Sequence, residues 1–531
     1  MRHTRNVSKG FIAAALTLTT LGMGMGMGLG LGVGPATPAR AAAGSTAGTV
    51  VGTTGGAVRG TADNGGLRSF QGIPYAAPPV GDLRWASPQP AATWTGVREA
   101  TAPGSPCSQP AGLPIGVPSE AEDCLYLNVT TPATQTGKRP VIVWIHGGSL
   151  MFGSGDLYGP ERLAAEGAVV VSVNYRLGVM GFLSDPALKT SGGLGLEDQQ
   201  AALRWVRANA GAFGGDPGNV TIMGESGGGY SVCGHLASPK STGLFDRAIV
   251  QSAPCATGGS RTREEAEAEA KATLAKLKEL KSKEGKDCND AESCLRGTDA
   301  ATLMKAYGTW NEPRPIAGTD LMPLTPAEAL HTGKFNRVPV LIGVNHDEER
   351  GRILGQELTG DAMPPEAYEP EIRKEFGAQA DAVLARYPLS RFSSAGEALA
   401  TVLTDRSWSV PTLDTARLLS QWTPTRMFEF SERETPSWPG NPKLSFELRA
   451  SHMSELPYLF DFKPPLFEKL TEKQERLGKR MTDTWVDFAE SGKTDWPSFR
   501  RGGYVQSLAS GPWKRTEFTK DHNHAFWKNL R

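Results

Sequence analysis

Apolar runs bounded by glycine or proline recur along the chain. Pro140 to Ile145 reads PVIVWI and Ala168 to Val173 reads AVVVSV. Asn219 to Met223, Asp246 to Gln251, Val338 to Val344 and Met427 to Phe430 repeat the pattern. A strand that is apolar at every position is covered on both faces, so these runs predict a mainly parallel sheet. Residues 49–60 instead alternate and break at Gly55-Gly56, which predicts short strands at a turn. Between Gly195 and Gly211, Leu196, Ala202, Trp205 and Val206 recur at helical spacing. Residues 262–286 are dense in Glu, Ala and Lys, with Leu274, Leu277 and Leu280 three apart, and predict a solvated amphipathic surface helix. Strands that alternate with helical stretches make an α/β protein. No internal repeat and no long polar linker divides the chain. Its 531 residues are therefore read as one large domain over 44–531, with insertions between strands.

The first 43 residues stand outside that domain. Arg2, Arg5 and Lys9 precede an apolar stretch from Phe11 to Val33, and the small-residue run Ala39-Arg40-Ala41-Ala42-Ala43 follows. This is the layout of a secretory signal peptide cleaved after Ala41 or Ala43, and it implies a secreted, extracellular protein. The competing reading is an uncleaved membrane anchor. Glycines alternating from Gly22 to Gly34 weaken a spanning helix and argue against it. Basic and acidic residues number 56 each in the whole chain. Without its basic start the mature chain carries a small negative charge, which supplies no general field for nucleic acid or an anionic membrane. Six cysteines suit an oxidising compartment. None has zinc spacing with histidine and no HExxH occurs, so the motifs supply no metal site.

Gly224-Glu225-Ser226-Gly227-Gly228 matches G-x-S-x-G between the strand NVTIM and the helix-compatible YSVCGHLA. A strand-to-helix turn of this kind strains the serine and exposes its hydroxyl. A serine needs a base, and in this architecture the acid and then the histidine follow it along the chain. His452, in a loop-like segment after a strand, is the best candidate base. His522 and His524 sit in the charged stretch KDHNHAFW and read as solvated. The acid should follow a late strand, and Asp347, Glu348 and Glu349 follow VPVLIGVN at once. Residue chemistry leaves the choice among these three open. His146-Gly147-Gly148-Ser149 after PVIVWI is an HGGG-type loop whose amides, with that of Gly227, suit an oxyanion.

With these motifs in place the chain resembles the type-B carboxylesterases, the cholinesterase-like branch of the α/β-hydrolase fold. The likeness rests on FQGIPYAAPPVGDLRW (70–85), EDCLYLNV (122–129), VIVWIHGGS (141–149), VNYRLGVMGFL (173–183), LEDQQAALRWV (196–206), FGGDPGNVTIMGESGGG (213–229), HDEE (346–349) and HMSELPYLF (452–460). The resemblance implies Ser226 as nucleophile, Glu348 as acid and His452 as base. It implies oxyanion donors Gly148, Ser149 and Gly227, and no cofactor or metal. By the same likeness Cys107 pairs with Cys124 and Cys288 with Cys294, while Cys233 and Cys255 are left open. Arg84 should meet Glu122, and Arg176 should meet Asp198. Three positions depart from the family pattern: Gly227 where alanine is usual, Ser149 in place of the last oxyanion glycine, and Arg350 one place beyond the usual glycine of the acid loop.

The expected activity is hydrolysis of carboxylic esters through an acyl-enzyme, with a small-molecule ester as partner and no nucleic acid. Residues 108–123, SQPAGLPIGVPSEAED, hold no aromatic residue and three prolines. They offer no face for a quaternary ammonium and make a poor swinging lid. Small or short-chain neutral esters are therefore the expected substrates. An interfacial lipase, or a non-catalytic binding protein on the same fold, is the competing reading.

Overall fold

The computed structural model describes residues 49–530 apart from 64, 112–115, 135–137, 189, 191, 286, 309–312 and 441–442. The proposed export segment, residues 1–43, lies outside the described residues. Nine strands carry the architecture. They are β1 (Leu67–Pro74), β2 (Tyr126–Pro132), β3 (Arg139–Ile145), β4 (Val169–Val173), β5 (Gly215–Glu225), β6 (Arg247–Gln251), β7 (Val340–Asn345), β8 (Thr425–Phe430) and β9 (Gln506–Leu508). With Thr61–Ala62 and Lys514–Arg515 at its two edges, the sheet has 11 strands among the described residues. From one edge to the other the order is Lys514–Arg515, β9, β8, β7, β6, β5, β3, β4, β2, β1, Thr61–Ala62. The block from β4 to β9 is parallel, and the pairings outward of it are antiparallel. The stretch at residues 49–60 forms an antiparallel hairpin, Val50–Thr53 with Gly56–Arg59, in a separate three-stranded sheet.

Alternate side chains of each apolar run enter different layers. Val141, Val143 and Ile145 face one cluster with Val220, Ile222, Val250 and Ile342. That cluster is closed by α1 (Leu194–Asn209), through Ala202, Leu203 and Val206, and by α2 (Gly227–Ala237), through Val232 and Leu236. Ile142 and Trp144 face the opposite cluster with Met223, Ile249, Leu341 and Phe428. A long helix covers this second face through Leu477, Met481, Trp485 and Phe488. Two apolar layers explain why the runs lack polar alternation.

The predicted surface helix is α3 (Arg263–Lys283). It begins at a capping box of Thr262 and Glu265 and buries one stripe, Ala266, Ala270, Thr273 and Leu277. Later in the chain α4 (Ala395–Thr404) runs directly into a π-turn, Asp405–Ser409, and then into α5 (Val410–Trp422).

All six cysteines are paired: Cys107–Cys124, Cys288–Cys294 and, at the positions the sequence left open, Cys233–Cys255. The last bond ties α2 to the segment after β6. Two ion pairs anchor the first half of the chain. Arg176 Nε and Nη2 donate to Asp198 at 2.8 and 2.7 Å, both side chains buried, and Arg84 Nε donates to Glu122 at 2.6 Å.

Candidate active site

Strand β5 is the middle strand of the 11-stranded sheet and ends at Glu225. The next residue, Ser226, has φ 53° and ψ −121°, a left-handed conformation that costs a non-glycine residue free energy. Its amide donates to Gln251 O at 3.0 Å, and α2 begins immediately after it. The turn needs bare backbone on its inner side. A β-carbon on Gly228 would lie 2.0 Å from Ile145 O. The sharp strand–serine–helix turn is therefore present at the predicted position.

The HGGG-type loop follows β3 and bends back over this turn. Gly148, Ser149 and Leu150 have φ of 102°, 54° and 60°. A β-carbon on Gly147 would lie 2.8 Å from Glu225 Oε2 and 3.4 Å from that of Ser226, so the loop rests directly on the turn. Gly227 faces the same loop. A β-carbon there would sit 2.9 Å from the amide nitrogens of Ser149 and Leu150. The departure from alanine at this position thus matches a closely seated loop. Beyond it, Gln109 reaches over from the Cys107–Cys124 loop. Its Nε2 donates to Gly153 O, and its Oε1 accepts from Gly153 N, each at 2.9 Å.

Of the three adjacent carboxylates, Glu348 reaches His452. His452 Nδ1 lies 2.6 Å from Glu348 Oε2, and the His452 amide donates to Glu348 O at 3.0 Å. Glu348 Oε1 accepts from Ser252 Oγ at 2.6 Å and from Asn345 N at 2.8 Å. Each neighbour is engaged elsewhere. Asp347 meets Arg350 at 3.0 Å and His346 at 3.2 Å. Glu349 pairs with Arg352 and accepts from Trp408 Nε1 at 2.7 Å. Arg350 is buried, binding Asp347, Glu397 and the carbonyl of Glu447, so it braces the acid loop.

Several neighbours of His452 were not visible in the sequence. The π-turn carries Trp408, whose ring centroid stands 4.8 Å from that of His452. Glu225, the x of G-x-S-x-G, places Oε1 3.1 Å from His452 Nε2. Glu455 accepts from Gln251 Nε2 at 2.9 Å and from Asn345 Nδ2 at 2.6 Å. Burial alone would lower the pKa of His452. The charges of Glu225 and Glu348 outweigh it and push the pKa up to about 10. Burial raises Glu225 to about 8, against the lowering effect of His452. Burial also raises Glu455. Sequence had one available signal, the acidic residue beside the serine, and the contact it makes is fixed by the loop at His452 rather than by spacing.

Comparisons with known proteins establish the family and the fold. The model of the carboxylesterase family matches residues 47–527. Para-nitrobenzyl esterase of Bacillus subtilis (strain 168) is 35% identical over 474 residues, covering 85% of this chain and 92% of that protein. Fumonisin B1 esterase of Sphingopyxis macrogoltabida is 34% identical over 502 residues, covering 86% of each. A solved structure of a thermophylic PNB esterase superposes with a TM-score of 0.75 at 31% identity, over 90% of this chain and all of that one. Fold and site together define an α/β-hydrolase. The chain belongs to the carboxylesterase family and is a carboxylic ester hydrolase.

Proposed function

We propose that the chain cleaves small neutral esters through an acyl-enzyme, with Ser226 as nucleophile, His452 as base and Glu348 as acid. The observation that carries this reading is the 2.6 Å contact of Glu348 with His452 Nδ1 beside the strained serine turn. Glu348 holds the imidazole tautomer that leaves Nε2 to take the serine proton, and it stabilises the imidazolium that results. His452 then returns the proton to the departing alcohol, and water repeats the cycle on the acyl-enzyme. The amides of Gly148, Ser149 and Gly227 are the donors for the oxyanion. Small substrates are supported by the disulfide loop. It carries no aromatic side chain, and Gln109 hydrogen-bonds it to the oxyanion loop, which opposes a swinging lid. Three disulfides support export. Among the described residues no helix is long and apolar enough to cross a membrane. Residues 1–43 are accordingly the proposed signal, and 44–531 one hydrolase domain.

Ser226→Ala should reduce turnover of p-nitrophenyl acetate by at least about 10³-fold while circular dichroism stays unchanged. Glu348→Gln should slow turnover far more than Asp347→Asn or Glu349→Gln. Retained turnover in Ser226→Ala would overturn the mechanism. Across a chain-length series kcat/KM should be highest for short acyl chains. A rate jump above the solubility limit of a long-chain ester would favour an interfacial lipase instead.

A further inference from the structure

A second group of convergent side chains lies away from Ser226. His346 follows β7 directly, Glu429 belongs to the neighbouring β8, and His522 follows the short helix Phe518–Asp521. One ligating atom from each lies within 4.8 Å of the other two. His522 and Glu429 are 2% exposed, whereas the His346 side chain is 34% exposed. The two imidazole centroids stand 5.0 Å apart.

Each ring has a carboxylate on its Nδ1. Asp405 Oδ1 is 2.6 Å from His522 Nδ1, and Asp347 Oδ2 is 3.2 Å from His346 Nδ1. Asp405 is itself held by Tyr387 Oη, which donates at 2.6 Å, and by Asn523 Nδ2 at 3.1 Å. His522 Nε2 lies 2.6 Å from Glu429 Oε1, and with its Nδ1 on Asp347 the His346 ring has Nε2 left as a ligating atom. A metal-bound histidine nearly always gives its other ring nitrogen to a carboxylate or carbonyl, which fixes the tautomer and raises ligand basicity. Finding that partner on both rings of a two-histidine, one-carboxylate group is a stronger signal than proximity alone.

We propose that His346, Glu429 and His522 bind a divalent transition-metal ion, zinc foremost, with Asp347 and Asp405 orienting the rings. Imidazole nitrogen with one carboxylate oxygen suits zinc better than calcium or magnesium, which prefer all-oxygen shells. A tetrahedral ion with bonds near 2.0–2.1 Å holds its ligand atoms about 3.4 Å apart. His522 Nε2 and Glu429 Oε1, at 2.6 Å, must open slightly, and the site otherwise lies within the observed spread. The half-open side at His346 provides an entry path and a fourth position for water.

Binding exchanges the proton on His522 Nε2 for the ion and releases that proton to solvent. The proton is a real competitor. Burial alone would lower the pKa of His522, but hydrogen bonds to Asp405 and Glu429 push it up to about 10. Without an ion the same residues form a buried imidazolium clamped between two carboxylates, and that is the reading the experiment must exclude.

The test uses the full chain, stripped with a chelator and titrated with zinc by calorimetry in mildly alkaline buffer, with thermal unfolding followed in parallel. One equivalent should bind, and Tm should rise by a few degrees at a hundredfold excess over Kd. His346→Ala keeps the Asp405–His522–Glu429 contacts, so the fold should survive, and zinc affinity should fall by about 100-fold or more. Asp347→Asn, which touches no ion directly, should weaken binding by about 10-fold. Absence of saturable zinc binding would overturn the proposal. So would equal affinity in the parent chain and in folded His346→Ala, because zinc would then be bound elsewhere. If His346→Ala does not fold, the Asp347→Asn affinity decides in the same two directions.

Discussion

Glu225 precedes Ser226 in the sequence, yet its carboxylate faces the imidazole nitrogen proposed to accept the serine proton. The proposed mechanism needs His452 neutral, and a nearby anion favours the imidazolium. Replacing Glu225 by Gln removes the largest charge that raises His452, so the histidine pKa should fall. The acid limb of the kcat/KM–pH profile should therefore move to lower pH, by on the order of one unit. A limb that stays in place or moves upward would show that Glu225 is protonated throughout and contributes no field. Residues of this site differed in how far the sequence exposed them. Ser226 could be read from its motif, because the strained turn needs glycines on both sides of it. Among Asp347, Glu348 and Glu349 chemistry alone could not choose, since all three are carboxylates and the fold of the turn decides which one faces His452. Trp408 and Glu455 left no signal, because their contacts with the site join segments far apart in the chain.

At the level of elements, the strongly apolar runs became the parallel block, with boundaries shifted by a few residues. The sequence pattern missed β9, the last strand of that block, and also β1 and β2, which pair antiparallel near the other edge. β1, LRSFQGIP, is interrupted by Gly72 and ends at Pro74, and β2 mixes Asn and Thr with its apolar residues, so neither reads as buried on both faces. What holds the approach to α1 is the Arg176–Asp198 pair, with side-chain exposures of 4% and 0%. Removing one partner leaves a buried charge uncompensated, which typically costs about 3–5 kcal/mol. Arg176→Met should therefore lower unfolding stability by that amount in denaturant titrations. The double variant Arg176→Met/Asp198→Leu should recover much of the loss. Equal losses in the single and double variants would place the cost in packing rather than in the stranded charge.

Across the whole molecule, the Cys233–Cys255 bond spans a sequence separation of 22 and joins the helix after the Ser226 turn to the segment after β6. Closing a loop of that length is worth about 3 kcal/mol in the chain-entropy model. Cys233→Ala/Cys255→Ala should lose roughly that much stability. An unchanged denaturation midpoint would mean that packing alone already holds the helix. Sequence left this pair open because six cysteines permit many pairings, and geometry alone brings these two within a Cα distance of 5.4 Å. The C-terminal stretch was misread for a related reason. His522 and His524, expected to be solvated among charges, are 2% and 8% exposed. Glu429 and Asp405, which neutralise His522, lie about a hundred residues earlier, where local composition gives no hint of them.

The π-turn at Asp405–Ser409 is one residue longer than an α-helix requires, as such turns commonly are. That surplus residue sets the phase of two helices relative to each other. Upstream, Asp405 points to His522, and three positions on, Trp408 lies against His452. Deleting one residue here would restore a regular helix and rotate everything after it by about 100° relative to everything before it. Such a deletion should therefore separate the two contacts, keeping either Asp405 on His522 or Trp408 on His452.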